Sequence, residues 1–237
     1  MVDFEAIIIV ATAFLLGLGH SLDPDHVVAV STLLCKSPSL RKSIVSATAW
    51  GAGHSAVLLV VGLLVLGLRI VIPNSVVQIF EVAAAVMLIA LGIYVIRPIV
   101  VYRLHQHEHR SGQEAHTHTH PHVHSHGHSH IHDHEDSGHI HKSALTGVLQ
   151  GLAGSAAIML VALTTVTSWE LGLIYILIFG AGVILGMVGI ACLISSLLSY
   201  TANRIEGIHE KITAVTGTIS ISFGIFIITQ ILLNRPI

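Results

Sequence analysis

Long uncharged stretches, separated by short polar segments, run through most of the chain. The longest extends from Leu171 to Asn203 without a charged residue, which exceeds the ~20 apolar residues that a helix needs to cross a bilayer. The pattern predicts an all-α integral membrane protein with six transmembrane helices. The expected spans are residues 5–28, 44–68, 76–98, 144–166, 170–199 and 211–233.

The composition excludes an ordinary soluble protein. Hydrophobic residues make up 53% of the chain and charged residues 10%, whereas a typical globular protein has roughly 25% charged residues. A net charge of −2 provides no basic surface for nucleic acid. The apolar spans make the lipid bilayer the expected partner. Asp3 and Glu5 stand where a secretory signal would be basic, which favours a retained first span.

A segment of different chemistry, residues 104–142, separates the third predicted span from the fourth. It holds 15 of the 19 histidines and almost no apolar surface, so we expect it to be disordered. It divides the chain into two three-helix membrane repeats, residues 1–103 and 143–237. Neutral imidazoles bind metal ions, so the loop is predicted to buffer or sense metal. The alternating histidines expected to do this are His116, His118, His120, His122, His124, His126, His128, His130, His132 and His134.

The distribution of lysine and arginine predicts the orientation. With six crossings, nine basic residues fall on the side of the His-rich loop, and two, Arg69 and Arg235, fall on the other side. Positive charge stays in the cytoplasm, so the loop should face inward and both termini outward, in the cytoplasmic membrane. The nine residues are Lys36, Arg41, Lys42, Arg97, Arg103, Arg110, Lys142, Arg204 and Lys211.

The two halves of the chain resemble each other at an offset near 130 residues. Because each half has three spans, an odd number, the second half should insert inverted relative to the first. Such 3+3 inverted repeats are typical of secondary transporters, whose binding site lies where broken helices meet near mid-membrane. Residues 51–53 match 180–182, residues 91–96 match 223–228, and residues 19–25 align loosely with 149–155.

The first span carries a dense group of polar residues: His20, Asp23, Asp25 and His26. An aspartate near the bilayer centre costs roughly 2.5–3.5 kcal/mol, so two of them point to function. No lysine or arginine lies deep in any predicted span to pair with them. A bound cation would supply the missing positive charge.

Pro24 is expected to break the first helix. On an unbroken helix His20 and His26 would point roughly 120° apart and could not easily hold one ion. Proline lacks a backbone donor and clashes with the preceding turn, so a kink or unwinding is predicted there. The break would turn the four polar side chains toward a common point.

Four further residues in or beside the other spans have candidate roles. His54 lies roughly 15 Å into the second span, and beside the first-span group it is interpreted as a ligand or a close neighbour of the ligands rather than a core histidine. Trp50 and Trp169 are interpreted as interfacial anchors. Glu81 in the third span is either a protonated or snorkelling acid, or a group in the ion pathway or in proton coupling.

The mixture of imidazole and carboxylate without thiolate suits a late first-row divalent cation. His20 to His26, in the sequence HSLDPDHVV, resembles the HxxDxDH signature of the nickel/cobalt transporter family, and GAGHSAV around His54 resembles its Gly-His-Ser motif. Residues 150–156 resemble a motif of membrane-bound urease accessory proteins, which are related to those transporters. Six spans with a His-rich loop also resemble the nickel/cobalt efflux branch.

The resemblance implies that Ni²⁺ is the substrate, with Co²⁺ as a second. It implies metal-binding roles for His20, Asp23, Asp25, His26 and His54. Gln150, where related proteins tend to have histidine, and Ser155 are then expected to line the pathway. Cytosolic nickel chaperones or urease accessory proteins are the partners that it implies.

Three functions remain at this point. A secondary transporter is favoured, because the chain has no nucleotide-binding phosphate loop. Uptake, for example to supply urease or hydrogenase, is preferred over efflux, since an inside-negative 100 mV favours an entering divalent ion by roughly 4.6 kcal/mol. A membrane metalloenzyme is a weaker alternative, because the predicted spans hold one histidine cluster and His54 rather than several His boxes, and an H-E-x-x-H motif is absent. A metal-storage or sensor protein is also weaker, because six spans with buried acids exceed what an anchor needs. We therefore expect no enzymatic activity.

Overall fold

The computed structural model describes residues 4–35, 39–68, 73–104, 110–111, 114–115, 134–153, 168–202 and 207–233. Within these ranges the chain forms seven helices and one short antiparallel β pair. The helices are α1 (Phe4–His20), α2 (Pro24–Leu34), α3 (Leu40–Leu68), α4 (Asn74–Leu104), α5 (His134–Leu152), α6 (Trp169–Ala202) and α7 (Ile208–Leu232). The strands are β1 (Arg110–Ser111) and β2 (Glu114–Ala115).

Several of the helices are long and apolar enough to cross a membrane. Four qualify singly, and the shortest has 25 residues, which covers about 37 Å against a hydrocarbon core of ~30 Å. Counting the bent pair α1–α2 as one span gives a fifth. The protein is therefore a multi-pass helical membrane protein. The four single spans are Leu40–Val65, Asn74–Val101, Trp169–Thr201 and Ile208–Leu232.

The fourth predicted span and the His-rich segment are described only in part. α5 begins at His134, inside the segment predicted to be a loop, and covers the first part of the predicted span at 144–166. The strands β1 and β2 also lie in that segment and pair Arg110 with Ala115. The rest of both regions lies outside the described residues.

The predicted break in the first span is confirmed, and its geometry is specific. α1 ends at His20, the chain turns through Ser21 to Asp23, and α2 starts at Pro24 with its axis bent by 57°. Pro24 occupies the first helical position, where a missing N–H costs nothing and the fixed φ suits the helix. Asp23 caps this helix with an extended ψ of 139°, and its carbonyl accepts from His26 N at 3.0 Å. Pro24 thus begins a second helix rather than kinking the interior of one.

Two pairs of helices run parallel and pack closely through glycine. A Cβ at Gly17 would overlap the Phe179 carbonyl, and a Cβ at Gly147 would overlap the Trp50 carbonyl. Small residues allow such close backbone approach in membrane helices. In each pair, contacts nearer the C-terminus of one helix are also nearer the C-terminus of its partner. The contacts are Gly17 with Phe179 and Ser21 with Gly186 between α1 and α6, and Trp50 with Gly147 and His54 with Gly151 between α3 and α5.

Two other pairs run antiparallel, since a later residue of one helix faces an earlier residue of its partner. These relative directions are those expected when consecutive spans cross the membrane alternately. The contacts are Gly51 with Ile184 and Ser55 with Gly180 between α3 and α6, and Gly92 with Gly217 and Gly224 with Ala85 between α4 and α7.

The buried apolar residues form two clusters, and α2 contributes to both. Val30 and Leu34 of α2 join a large cluster centred on Trp50 and Phe179. Ala29 of α2 joins a smaller cluster formed by α4 and α7. The short helix after the break is therefore fixed between two packed groups of helices, which holds its first turn in place beside α3.

Candidate metal centre

Three histidines from α1, α2 and α3 converge where the first span breaks. His20 ends α1, His26 lies in the first turn of α2, and His54 lies in the middle of α3. They are 4%, 1% and 0% exposed. Their ring centroids are 4.7 to 5.3 Å apart, and His20 Nε2 lies 3.3 Å from His54 Nε2. One ligand nitrogen from each ring lies within 4.8 Å of those of the other two.

The turn between α1 and α2 makes this convergence possible. On one straight helix, the side chains of His20 and His26 would point to different faces, about 120° apart. With the break, their rings meet edge to face at 4.7 Å. A backbone break inside a membrane is tolerated where it is buried in protein or lines a cavity. The break predicted at Pro24 therefore brings the two histidine rings together as well as ending the straight helix.

Two carboxylates lie against the outer edge of this histidine group. Asp23 Oδ2 lies 2.6 Å from His20 Nδ1, and Asp25 Oδ1 lies 2.8 Å from His26 Nδ1. The two carboxylate side chains are 41% and 25% exposed, so they border the accessible side of the site. A carboxylate on one ring nitrogen orients the imidazole and directs the other nitrogen toward a metal. His26 Nε2 has no hydrogen-bond partner among the described residues.

The carboxylates also form a second candidate ligand group. One ligand atom from each of Asp23, Asp25 and His26 lies within 4.8 Å of the other two. His26 is thus common to a buried group of three imidazoles and a half-exposed group with two carboxylates. Neither cysteine belongs to either group. Nitrogen and oxygen donors without thiolate suit a late first-row divalent cation, and two aspartates balance its charge.

Aromatic rings close the site on two sides. The Trp50 and His54 rings stack with their centroids 5.0 Å apart and 15° between their planes. The Trp50 and His26 rings meet edge to face with their centroids 4.9 Å apart. The ring centroids of Phe179 and His20 are 5.6 Å apart. The expectation that Trp50 is an interfacial anchor was wrong, because its side chain is fully buried within the helix bundle. Its spacing of four residues before His54, one helical turn, was the sequence signal for this role.

Gln150 of α5 reaches the site from the second half of the chain. It is fully buried, and its Nε2 donates to the backbone carbonyl of Asp25 at 3.0 Å and to the carboxylate Oδ2 at 3.3 Å. Its Oε1 accepts from Trp50 Nε1 at 2.8 Å. The structure therefore brings Gln150 to the candidate metal centre.

The remaining sequence-predicted residues lie elsewhere. Glu81 is half-buried on α4 and belongs to neither ligand group. Ser155 and the loop histidines from His116 to His132 lie outside the described residues. His134 is the first residue of α5, and the structure does not describe its side chain.

The fold and the site together define a class: a multi-pass helical membrane protein with a candidate divalent-cation site at a broken first span. Comparison with known proteins makes the class specific. The family described as high-affinity nickel-transport protein (NicO) matches residues 6–205, and the chain belongs to this family. Nickel/cobalt transport across a membrane is the activity of the family, and an enzymatic reaction is not.

Two relatives extend along almost the whole chain. The urease accessory protein UreH of Bacillus sp. (strain TB-90) is 34% identical over 95% of this chain and 92% of its own length. A protein named as a candidate nickel/cobalt efflux system in Methanocaldococcus jannaschii is 27% identical over the full length of both chains. No solved structure gives a significant match to the chain.

Proposed function

We propose that the protein is a secondary transporter that carries Ni²⁺, with Co²⁺ as a second substrate, across the cytoplasmic membrane. The observation that carries this proposal is the meeting of three buried imidazoles with two carboxylates at the break in the first span. Membership of the nickel-transport family supports the identity of the ion. The residues proposed to bind it are His20, Asp23, Asp25, His26 and His54.

The spacing of the ring nitrogens supports coordination of one ion. Two nitrogens that each lie about 2.1 Å from an ion are about 3.0 Å apart at a right angle and about 3.4 Å apart at a tetrahedral angle. The 3.3 Å between His20 Nε2 and His54 Nε2 falls in this interval. One ligand nitrogen from each of the three rings lies within 4.8 Å of the other two, so all three can approach a single ion.

The two ligand groups provide successive positions for the ion. At the half-exposed carboxylates of Asp23 and Asp25 an incoming cation keeps part of its water shell. At the buried imidazoles, nitrogen ligands replace that water. Because His26 belongs to both groups, the ion passes between them without losing all of its protein ligands.

Reciprocal contacts support an inverted 3+3 repeat. In several glycine contacts, each residue can be replaced by its counterpart about 130 positions away in the other half. The result is another contact that the structure contains. This relation is expected of a two-fold pseudosymmetry axis in the membrane plane. Gly17 on Phe179 becomes Gly147 on Trp50, Gly51 on Ile184 becomes Gly180 on Ser55, Gly53 on Ala144 becomes Gly182 on Phe14, and Gly92 on Gly217 becomes Gly224 on Ala85.

The proposed topology has six spans, with both termini outside and the His-rich segment in the cytoplasm. The positive-inside distribution supports the orientation, and the alternating helix directions support an up-and-down arrangement. In this arrangement the loop histidines collect or buffer the ion on the cytoplasmic side, and Glu81 and Ser155 lie along the pathway. Cytosolic nickel chaperones or urease accessory proteins then receive the ion.

Uptake is the proposed direction. An inside-negative potential of 100 mV favours entry of a divalent ion by about 4.6 kcal/mol, so uptake needs no further energy source. The name of the Bacillus relative supports delivery to urease, and hydrogenase is another nickel-requiring recipient. Efflux is the second candidate, favoured by the name of the Methanocaldococcus relative, and it requires a coupling ion.

Radioactive nickel accumulation in cells tests the proposal. Cells that produce the protein should accumulate more ⁶³Ni²⁺ than empty-vector cells, and His26→Ala should remove the difference. His141→Ala, an exposed histidine of α5 outside both ligand groups, is the matched control and should leave uptake unchanged. Net loss of nickel would overturn uptake in favour of efflux. Identical nickel content with and without the protein would overturn transport itself.

A further inference from the structure

Gln150 makes three hydrogen bonds from α5 to residues of α2 and α3. Its amide nitrogen donates to both the carbonyl and the carboxylate of Asp25, and its amide oxygen accepts from Trp50 Nε1. The side chain is fully buried. An amide nitrogen has two hydrogens, and each has an acceptor here, so the donor capacity of the group is used completely.

Trp50 determines which way the amide faces. The indole nitrogen is a donor only, so it requires the amide oxygen as its partner. The amide nitrogen then faces Asp25. Because the other oxygen of Asp25 is held by His26 Nδ1 at 2.8 Å, both oxygens of this carboxylate have a fixed neighbour.

Close backbone packing places the amide at this point. Gly147 and Gly151, on either side of Gln150 in α5, lie against the backbones of Trp50 and His54. The absence of side chains at these two positions brings α5 close enough for a glutamine to reach both Trp50 and Asp25. Trp50 in turn stacks on His54, so the same amide also supports the ring of a second ligand.

We infer that Gln150 is a positioning residue for the transported ion, and that it acts by fixing the Asp25 carboxylate and, through Trp50, the His54 imidazole. This inference rests on the proposed function. Gln150 is uncharged, so it holds the carboxylate without neutralising it, and both aspartate charges remain for a divalent ion. By this contact the second half of the chain sets the geometry of a ligand group that belongs to the first half.

The buried indole supplies a direct readout. The chain has two tryptophans, and Trp169 is exposed at the start of α6. In full-length protein carrying Trp169→Phe, all indole fluorescence comes from Trp50, beside His54 and His26. Paramagnetic Ni²⁺ quenches indole fluorescence at short range, so titration with NiCl₂ reports occupation of this site rather than of the His-rich loop.

The test compares Gln150→Met with Gln78→Leu, an exposed glutamine of α4, in that background. Gln150→Met keeps the side-chain length but removes all three hydrogen bonds. It should weaken nickel binding about tenfold or more, as expected for a hydrogen bond to a charged group, and shift Trp50 emission. Gln78→Leu should titrate like the parent.

A double variant separates positioning from general support of the fold. Because Gln150 acts through Asp25, adding Gln150→Met to Asp25→Asn should weaken binding less than it does in the parent. Full additivity, or an unchanged affinity in Gln150→Met, would overturn the inference. If the parent itself shows no nickel-dependent quenching, the proposed function fails instead.

A second variant decides the matter if Gln150→Met does not reach the membrane. Trp50→Phe removes the donor that orients the amide while keeping an aromatic ring on His54. In proteoliposomes it should raise the KM for ⁶³Ni²⁺ several-fold, with less effect on the maximal rate. An unchanged KM would contradict the positioning role.

Discussion

His26 is the residue that both ligand groups share, and its neighbours explain how one side chain can serve both. Asp25 binds its Nδ1, its ring and that of Trp50 meet edge to face, and its Nε2 has no hydrogen-bond partner among the described residues. A buried ring nitrogen without a partner is costly, which favours the proposed binding of a metal ion at this nitrogen. Imidazole nitrogen and divalent nickel are chemically matched for this purpose.

Asp25→Asn should abolish nickel transport. The substitution keeps the side-chain shape but leaves one aspartate charge against a divalent ion in a low-dielectric site. We expect the initial rate of ⁶³Ni²⁺ uptake to fall by about 100-fold or more. Metal binding by the His-rich loop should be unchanged in the same protein.

Glu170→Gln provides the matched control for this prediction. Glu170 is an exposed acid in the first turn of α6 and belongs to neither ligand group. Its loss should leave the uptake rate within twofold of the parent. If Asp25→Asn transports nickel at the parental rate, the carboxylate has no part in holding the ion.

At the scale of the elements, the central feature is a first span made of two helices. The turn from Ser21 to Asp23 ends α1, and Pro24 starts α2 in a position where proline is favourable. α2 is then fixed by contacts with two separate apolar clusters. The site therefore depends on a local break in regular structure and on helices that are distant in sequence.

The sequence allowed prediction of the break but not of the whole site. Uncharged runs define membrane spans because charge is costly in lipid, and Pro24 marks a break because its ring cannot continue a helix. Trp50 was misplaced because tryptophan near a span end is typically interfacial. Its burial depends on Gly147, almost 100 residues later, whose missing side chain lets α5 cover it. The spacing of Trp50 and His54 places both rings on one face of α3, but it does not show that a helix so distant in sequence covers that face.

Gly147→Ala should destabilise the protein at the α3–α5 contact. The added methyl group would overlap the Trp50 carbonyl, so the two helices must separate. Overpacking of this kind costs about 1–3 kcal/mol, which should appear as a lower Tm in detergent. Gly189→Ala on α6 is the matched control, since a Cβ there meets no atom within 4 Å. An equal Tm for both variants would contradict the close contact.

At the scale of the whole molecule, replacing each helix of a packed pair by its counterpart in the other half gives a packed pair that the structure also contains. The two parallel pairs, α1–α6 and α5–α3, are each other's counterparts, and each antiparallel pair is its own counterpart. This arrangement accounts for the matching glycines of the two halves. The proposed inverted repeat requires the second half to cross the membrane in the opposite sense to the first.

Cysteine labelling should confirm the proposed orientation. In a background of Cys35→Ser and Cys192→Ser, a membrane-impermeant maleimide should label Ile237→Cys in intact cells. It should label Lys211→Cys, at the start of α7, only after permeabilisation. The reverse pattern would place both termini in the cytoplasm and the His-rich segment outside.

The proposed pseudosymmetry relates the helices but not the ligands. At the repeat offsets, the counterpart of His20 is Gln150 and the counterpart of His54 is Val183. At these aligned positions the second half therefore offers no duplicate of the imidazole group. If the proposed transporter moves one Ni²⁺ per turnover, an uncoupled cycle transfers two elementary charges. Its turnover can accordingly be recorded as an electric current whose size counts the ions.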